Sequence, residues 1–273
     1  RAYIRDFKSN ELGVSLRWAP GERVFNAVSQ RANIDKDTPI FTLTHKLGTA
    51  GYNGGEWNFG ATNNSFLYNS TQLEIFKRFR ISIAGFIDAK FTAGKVWDQV
   101  PYTLLMLPAS NQSFSYRRET FHTMNVLEFV TDQYVQANLT WHMKGLILNR
   151  IPLIKKLKLR EIVCYNIAYG NLTDKNNPLR FLDTNRYPDE ASKMADPGYN
   201  YLYNLPGEWV TENGVQEYKP LTQIMNSWKP YVEVNVGIHN IFKFFSVDYY
   251  HRLTYNTPNT QKWGVRFEFE ASF

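Results

Sequence analysis

The chain has a single cysteine, Cys164, which excludes a disulfide framework and thiolate metal cages, since both need several. Long apolar runs are missing as well. No stretch approaches the roughly 18 residues of a membrane-spanning helix, and the mean hydropathy is −0.42. A helical membrane protein is excluded; a transmembrane β-barrel, whose strands are half polar, is not. Histidine is scarce. His45, His122, His142, His239 and His251 include no pair with metal-ligand spacing on one element, so neither a metal nor a cofactor is expected. No serine lies in a nucleophile motif, and Ser246 and His251 fall on opposite faces of one strand, so no catalytic residue is expected. Internal repeats, low-complexity linkers and a signal peptide are absent. The chain opens on Arg1 and reads as one domain over 1–273, the C-terminal part of a longer protein.

What is present is alternation. In WGVRFEFEASF, Trp263, Val265, Phe267, Phe269, Ala271 and Phe273 are apolar, and Gly264, Arg266, Glu268, Glu270 and Ser272 between them are not. A period of two makes a strand with one greasy and one ionic face. Leu12, Val14, Leu16 and Trp18 alternate in the same way. So do Val135, Ala137, Leu139, Trp141 and Met143, and again Val232, Val234, Val236 and Ile238. Val247, Tyr249, Leu253 and Tyr255 oppose Asp248, Arg252 and Thr254, with His251 out of register. Segments near 39–48, 65–78 and 80–95 follow suit. Only 157–170 reads poorly, because Glu161 and Ile162 contradict either face, and a bulge is expected there.

The connections sort by length. Short ones are read at 9–11, 35–39, 77–80 and 239–244, and long ones at 48–64, 95–130 and 171–229. Counting directions back from the last strand places the long connections on one side. The short turn at 20–22 is the exception. Short turns on one side and long loops on the other characterise outer-membrane barrels, whereas soluble sandwiches carry long loops at both ends. A strand of about eleven residues, tilted by about 45°, spans roughly 25 Å, the height of an outer membrane's apolar band. The expectation is an antiparallel transmembrane β-barrel of about 10–12 strands.

WGVRFEFEASF resembles the terminal strand of outer-membrane barrels, the segment read by the barrel assembly machinery. LRWAPGERVFN, NQSFSYRRETFHTMNVLEFVTDQYV, LNRIPLIKKLKLREI and PYVEVNVGIHNIFKFFSVDYYHRLTY together resemble a Bacteroidota outer-membrane family. Its members carry a carboxypeptidase-regulatory-like domain ahead of a C-terminal barrel of unknown function. The resemblance implies a β-barrel in the outer membrane, covers nearly the whole chain and transfers no catalytic residue.

Four sets of residues are candidates for function. Glu233, Asp248, Arg252, Arg266, Glu268 and Glu270, on the last three strands, are expected to face the lumen as a mixed-sign ion-pair network that keeps the interior closed or narrow. Trp263, Val265, Phe267, Phe269 and Phe273 are expected to face lipid. Lys144, Arg150, Lys155, Lys156, Lys158 and Arg160 accumulate with no acid among them. Near them Ile151, Leu153, Ile154 and Leu157 have roughly helical spacing behind Pro152, which fits either a plain periplasmic turn or a short amphipathic segment on headgroups or a partner protein. A fourth group, Tyr199, Tyr201, Tyr203 and Trp209, makes either a surface for recognising a sugar or partner, or simple loop packing and interface anchoring. No nucleic-acid motif accompanies the net charge of +6.

Taken together, these features read as a non-enzymatic outer-membrane barrel with an assembly or scaffold role. The partners expected are lipid, the assembly machinery and other outer-membrane proteins. A gated channel or transporter is the alternative within the membrane. Outside it stands a soluble all-β carbohydrate-binding protein.

Overall fold

In the computed structural model the described residues are 6–26, 31–33, 37–53, 64–111, 118–196, 207–212, 215–226, 228–257 and 260–269. In chain order the strands are β1 (Asp6–Trp18), β2 (Val24–Asn26), β3 (Arg31–Asn33), β4 (Ile40–Asn53), β5 (Asn64–Arg80), β6 (Phe86–Val96) and β7 (Gln133–His142). There follow β8 (Arg160–Asn171), the short helix α1 (Glu190–Ala195), β9 (Gly207–Glu212), β10 (Val215–Pro220), β11 (Tyr231–Ile241), β12 (Phe245–Arg252) and β13 (Trp263–Phe269). Nine of them form one sheet in the order β1-β4-β5-β6-β7-β8-β11-β12-β13, antiparallel throughout, while β2–β3 and β9–β10 are separate hairpins.

The sheet is inside-out relative to a soluble protein. On β7, Gln136, Asn138 and Thr140 are buried, while Val135 and Leu139 are each 40% exposed. On β12, Ser246, Asp248, Tyr250 and Arg252 are buried and Phe245, Tyr249 and His251 exposed. Leu12, Val14, Leu16 and Trp18 lie bare on β1, as do Trp263, Val265, Phe267 and Phe269 on β13. The period of two puts one set on each face, as the alternation predicts. Among the described residues, no element covers the apolar face except at Glu161, over which the β7–β8 turn folds.

Beneath the polar face lie two apolar clusters formed with the 97–132 and 221–226 segments. One gathers Tyr68, Val96, Val100, Leu105 and Val130; the other Phe121, Met124, Phe129, Met225 and Tyr231. Glycine serves close approach at Gly48, where an added Cβ would lie 2.3 Å from the ring of its cross-strand partner Tyr68. Gly85 (φ +86°) makes the tight β5–β6 turn, and a Cβ there would strike the carbonyl oxygen of His142.

Several sequence expectations are corrected. The sheet is not closed: among the described residues β1 pairs only with β4, and β13 only with β12. Nine antiparallel strands leave β1 and β13 running in the same direction, so they cannot join in the antiparallel manner of every other seam. The expected turn at 9–11 lies inside β1, which pairs without interruption from Asp6 to Trp18. The exception at 20–22 disappears because β2 and β3 pair with each other and add no strand to the large sheet, so 20–22 lies in the β1–β4 connection, on the short-turn side. The β1–β4 connection is longer than expected there, because it carries the β2–β3 hairpin.

The expected bulge in 157–170 is absent. β8 keeps continuous register with both neighbours, and the irregular pairing sits in β11 between Ile238 and Ile241. Glu161 reads against its face because the β7–β8 turn folds over it, and its Oε1 accepts from the backbone N–H of Ile147 (3.0 Å) and Leu148 (2.5 Å). That turn holds two 3-10 turns, Leu148–Arg150 and Ile154–Leu157, and not the α-helical spacing read from its leucines and isoleucines.

Candidate functional site

The polar face is occupied by the described parts of the chain's own β6–β7 connection, 97–111 and 118–132. It leaves β6 at Trp97, and Asp98 accepts from both the backbone N–H and Nδ2 of Asn69 at 2.7 Å. Met106 and Thr131 exchange backbone hydrogen bonds of 2.9 Å, and Ser110 bridges Phe121, so the connection doubles back on itself. Asn176, fully buried in the connection after β8, accepts from Val100 N–H (2.9 Å) and donates to Asp132 Oδ2 (3.0 Å), fastening two long-side loops together.

Two charged side chains from the sheet hold the inner part. Glu233 on β11 accepts from the backbone N–H of His122 (2.9 Å) and of Thr123 (2.8 Å) and from Thr123 Oγ1 (2.5 Å). Arg252 on β12 forms a two-pronged pair with Glu128, donating from Nη1 to Oε2 at 3.0 Å and from Nη2 to Oε1. Its Nε donates to the Thr254 carbonyl at 3.0 Å, and its guanidinium lies 4.8 Å from the Tyr231 ring centroid. Glu128 in turn caps its own turn, accepting from Asn125 N–H at 2.9 Å. Planar bidentate geometry with the remaining donors satisfied is what lets such a pair persist away from water.

The residues singled out from the sequence therefore share one face, but with different partners from those expected. Asp248 takes Asn235 Nδ2 and the His239 ring nitrogen, each at 3.2 Å. Arg266 donates to the Asn111 carbonyl at 2.5 Å, while Glu268 accepts from Ser246 Oγ at 3.4 Å with Arg118 3.8 Å away. Strand-to-strand ion pairs were the expectation, yet Glu233, Arg252 and Arg266 all reach the inserted segment. Sequence reasoning missed Glu128, Thr123 and Arg118, because the segment lacks periodicity; NVLEFVTD, acid between apolar residues, was the one visible signal.

An open cavity of about 640 Å³ remains between β5–β7 and the inserted segment, lined by Glu74, Asp88, Lys90, Arg118, Glu119 and Glu268 among others. Lys90 bridges Glu74 (3.2 Å) and Glu119 (2.8 Å), and Arg78 pairs with Asp88, so both signs are matched across it. Among the described residues no group of three histidine, cysteine or acidic side chains could hold a metal. Ser246 is buried on the polar face and His251 lies exposed on the other, bonded to Tyr249.

On the long-loop side, Arg186 pairs with Asp174 through two bonds of 2.8 Å and holds that carboxyl below the usual carboxylate range. Arg180 donates to Asp196 at 2.7 Å. Asp189 begins α1 with a capping box closed by Ser192. Tyr199, Tyr201, Tyr203, Glu270 and Phe273 lie outside the described residues. Trp209 is placed in β9, in register with Tyr218. Arg150, Lys155, Lys156 and Lys158 sit exposed on the β7–β8 turn.

Residues 2–177 match the family described as family of unknown function (DUF5686), C-terminal domain. The chain belongs to that family. The DUF5686 match covers β1 to β8, hence the inserted segment with Glu128 and Thr123, and stops before β11 and β12, which supply Glu233 and Arg252. PYVEVNVGIHNIFKFFSVDYYHRLTY, one of the stretches behind the resemblance, therefore lies beyond the matched residues, so the match is shorter than the near-complete coverage expected. Neither a curated protein nor a solved structure matches the chain.

Proposed function

We propose that the chain forms the wall of a β-barrel in the outer membrane of a Gram-negative bacterium, of the Bacteroidota as the resemblance implies. In this reading it is non-enzymatic, an assembly or scaffold component whose own 97–132 segment keeps the interior shut. The observation that carries the reading is the inverted burial: polar side chains inside, and an uncovered face of leucine, valine, tryptophan and phenylalanine outside. A soluble carbohydrate-binding sandwich needs a second layer over that face. In water so large a bare patch is an aggregation surface; in a bilayer it is the required one.

Strand lengths support this. β1 has 13 residues and β5 has 17, well above the usual five or six of soluble strands. Lipid tolerates no open sheet edge, so the barrel must close. Because β1 and β13 run the same way, antiparallel closure takes an odd number of further strands, giving the even total of bacterial single-chain barrels. Lipid and the barrel assembly machinery, reading the terminal strand, are the partners of this proposal.

A gated channel is the second reading, favoured by the 640 Å³ cavity beside a segment held through hydrogen bonds. Extraction and gel migration test the common part. The protein should enter the detergent phase and migrate faster unheated than boiled; a protein soluble without detergent overturns the reading.

A further inference from the structure

At the short-turn end, the β7–β8 turn carries cations with no ion-pair partner among the described residues. Arg150, Lys155, Lys156 and Lys158 form no ion pair with a described residue. Lys144, Arg160 and Lys243, around a neighbouring pocket of about 210 Å³, likewise have none. On the long-loop side Arg186 pairs with Asp174 and Arg180 with Asp196.

The same turn exposes apolar side chains: Ile147, Ile151, Leu157 and, at 81%, Leu153. Phe242 in the adjacent β11–β12 turn is 73% exposed, and Asn240 Nδ2 donates to the Lys158 carbonyl at 2.7 Å, joining the two turns. Their position is fixed by Glu161. By strand parity its side chain belongs to the bare apolar face, and it grips the turn through the Ile147 and Leu148 N–H groups. The turn is thus pinned to the end of β8, at the rim of the sheet. Unmatched cations beside bare aliphatic groups, at the edge of an apolar wall, suit the boundary between headgroups and acyl chains.

We infer that the 143–159 turn is a docking foot for anionic phospholipid, with Arg150, Lys155, Lys156 and Lys158 on the headgroup phosphates and Leu153 and Ile151 against the acyl chains. This rests on the membrane reading above. It adds to that reading a preference for the charge of the leaflet on the short-turn side.

The test reconstitutes the full-length protein in bilayers of phosphatidylcholine mixed with phosphatidylglycerol, then measures the lipids retained after mild extraction by native mass spectrometry. Wild type should retain phosphatidylglycerol over phosphatidylcholine by about tenfold or more. The triple variant Lys155→Glu, Lys156→Glu, Lys158→Glu should lose the enrichment while keeping heat-modifiable migration. The milder set Lys155→Gln, Lys156→Gln, Lys158→Gln should lose part of it and serves if the first fails to fold. Insertion without preference, or a preference that survives the variants, overturns the foot alone. A protein that enters no bilayer overturns the membrane reading with it.

Discussion

Arg252 on β12 and Glu128 in the inserted segment meet through two parallel hydrogen bonds, and both side chains are shut off from solvent, at 0% and 3% exposure. The pair spans 124 positions of sequence and joins the wall to what fills it. Removing one partner strands a buried charge, at a cost of about 3–5 kcal/mol. Arg252→Met should therefore lower the thermal midpoint in detergent and expose residues 118–132 to protease while the strands stay protected. The double variant Arg252→Met, Glu128→Leu should recover much of the loss.

Glu233 provides a second latch with a different chemistry. Its carboxylate gathers two backbone donors and two hydroxyls, that of Thr123 and, at 3.4 Å, that of Tyr231. Glu233→Ala leaves buried N–H groups unsatisfied, each at about 1–3 kcal/mol. Thr123→Val removes only one of the hydroxyl donors and should cost less. Hydrogen exchange at the amides of His122 and Thr123 reads the difference directly, rising most in Glu233→Ala.

A closed interior has an electrical consequence. Planar-bilayer recordings of the intact protein should show little steady conductance, and deletion of residues 107–129 should give stable openings. Large, stable channels from the unaltered protein would favour the gated-channel reading over the scaffold.

The loop after β8 should respond to acid. Arg186 holds the Asp174 carboxyl below the usual range, and the Ser192 N–H does the same for Asp189. Groups whose pKa is lower in the folded state contribute stability that is fully present above the unfolded carboxylate value of about 4 and is lost as pH falls through the folded value. Proteolysis of 172–196 should be unchanged between pH 7 and 5 and should accelerate below 4. Asp174→Asn should cleave faster at neutral pH and show less dependence on acid.

The two-faced strands were legible in the sequence because a period of two survives even where strands end in ambiguous turns; Val135 to Trp141 and Trp263 to Phe269 kept their faces. The strand order and the open seam were not legible. A polar run such as Ser9–Asn10–Glu11 looks like a turn, yet it lies within β1, where an inner-face position can be polar anywhere along the strand. Glu161 misled for the opposite reason: a carboxylate on an apolar face is unexpected until the turn's own N–H groups are seen to satisfy it. The charges of β11–β13 were found, but their partners were not, since Glu128 and Thr123 come from a segment whose path follows no repeating pattern.

The account rests on what touches the bare face. Nitroxide labels placed singly at Leu16→Cys, Leu139→Cys, Val236→Cys and Val265→Cys, in a Cys164→Ala background and reconstituted in lipid, measure that contact by their relative accessibility to oxygen and to a water-soluble nickel chelate. All four should favour oxygen, as probes in hydrocarbon do. Accessibility to the nickel chelate at these sites, or burial from both reagents against protein, would contradict the assignment.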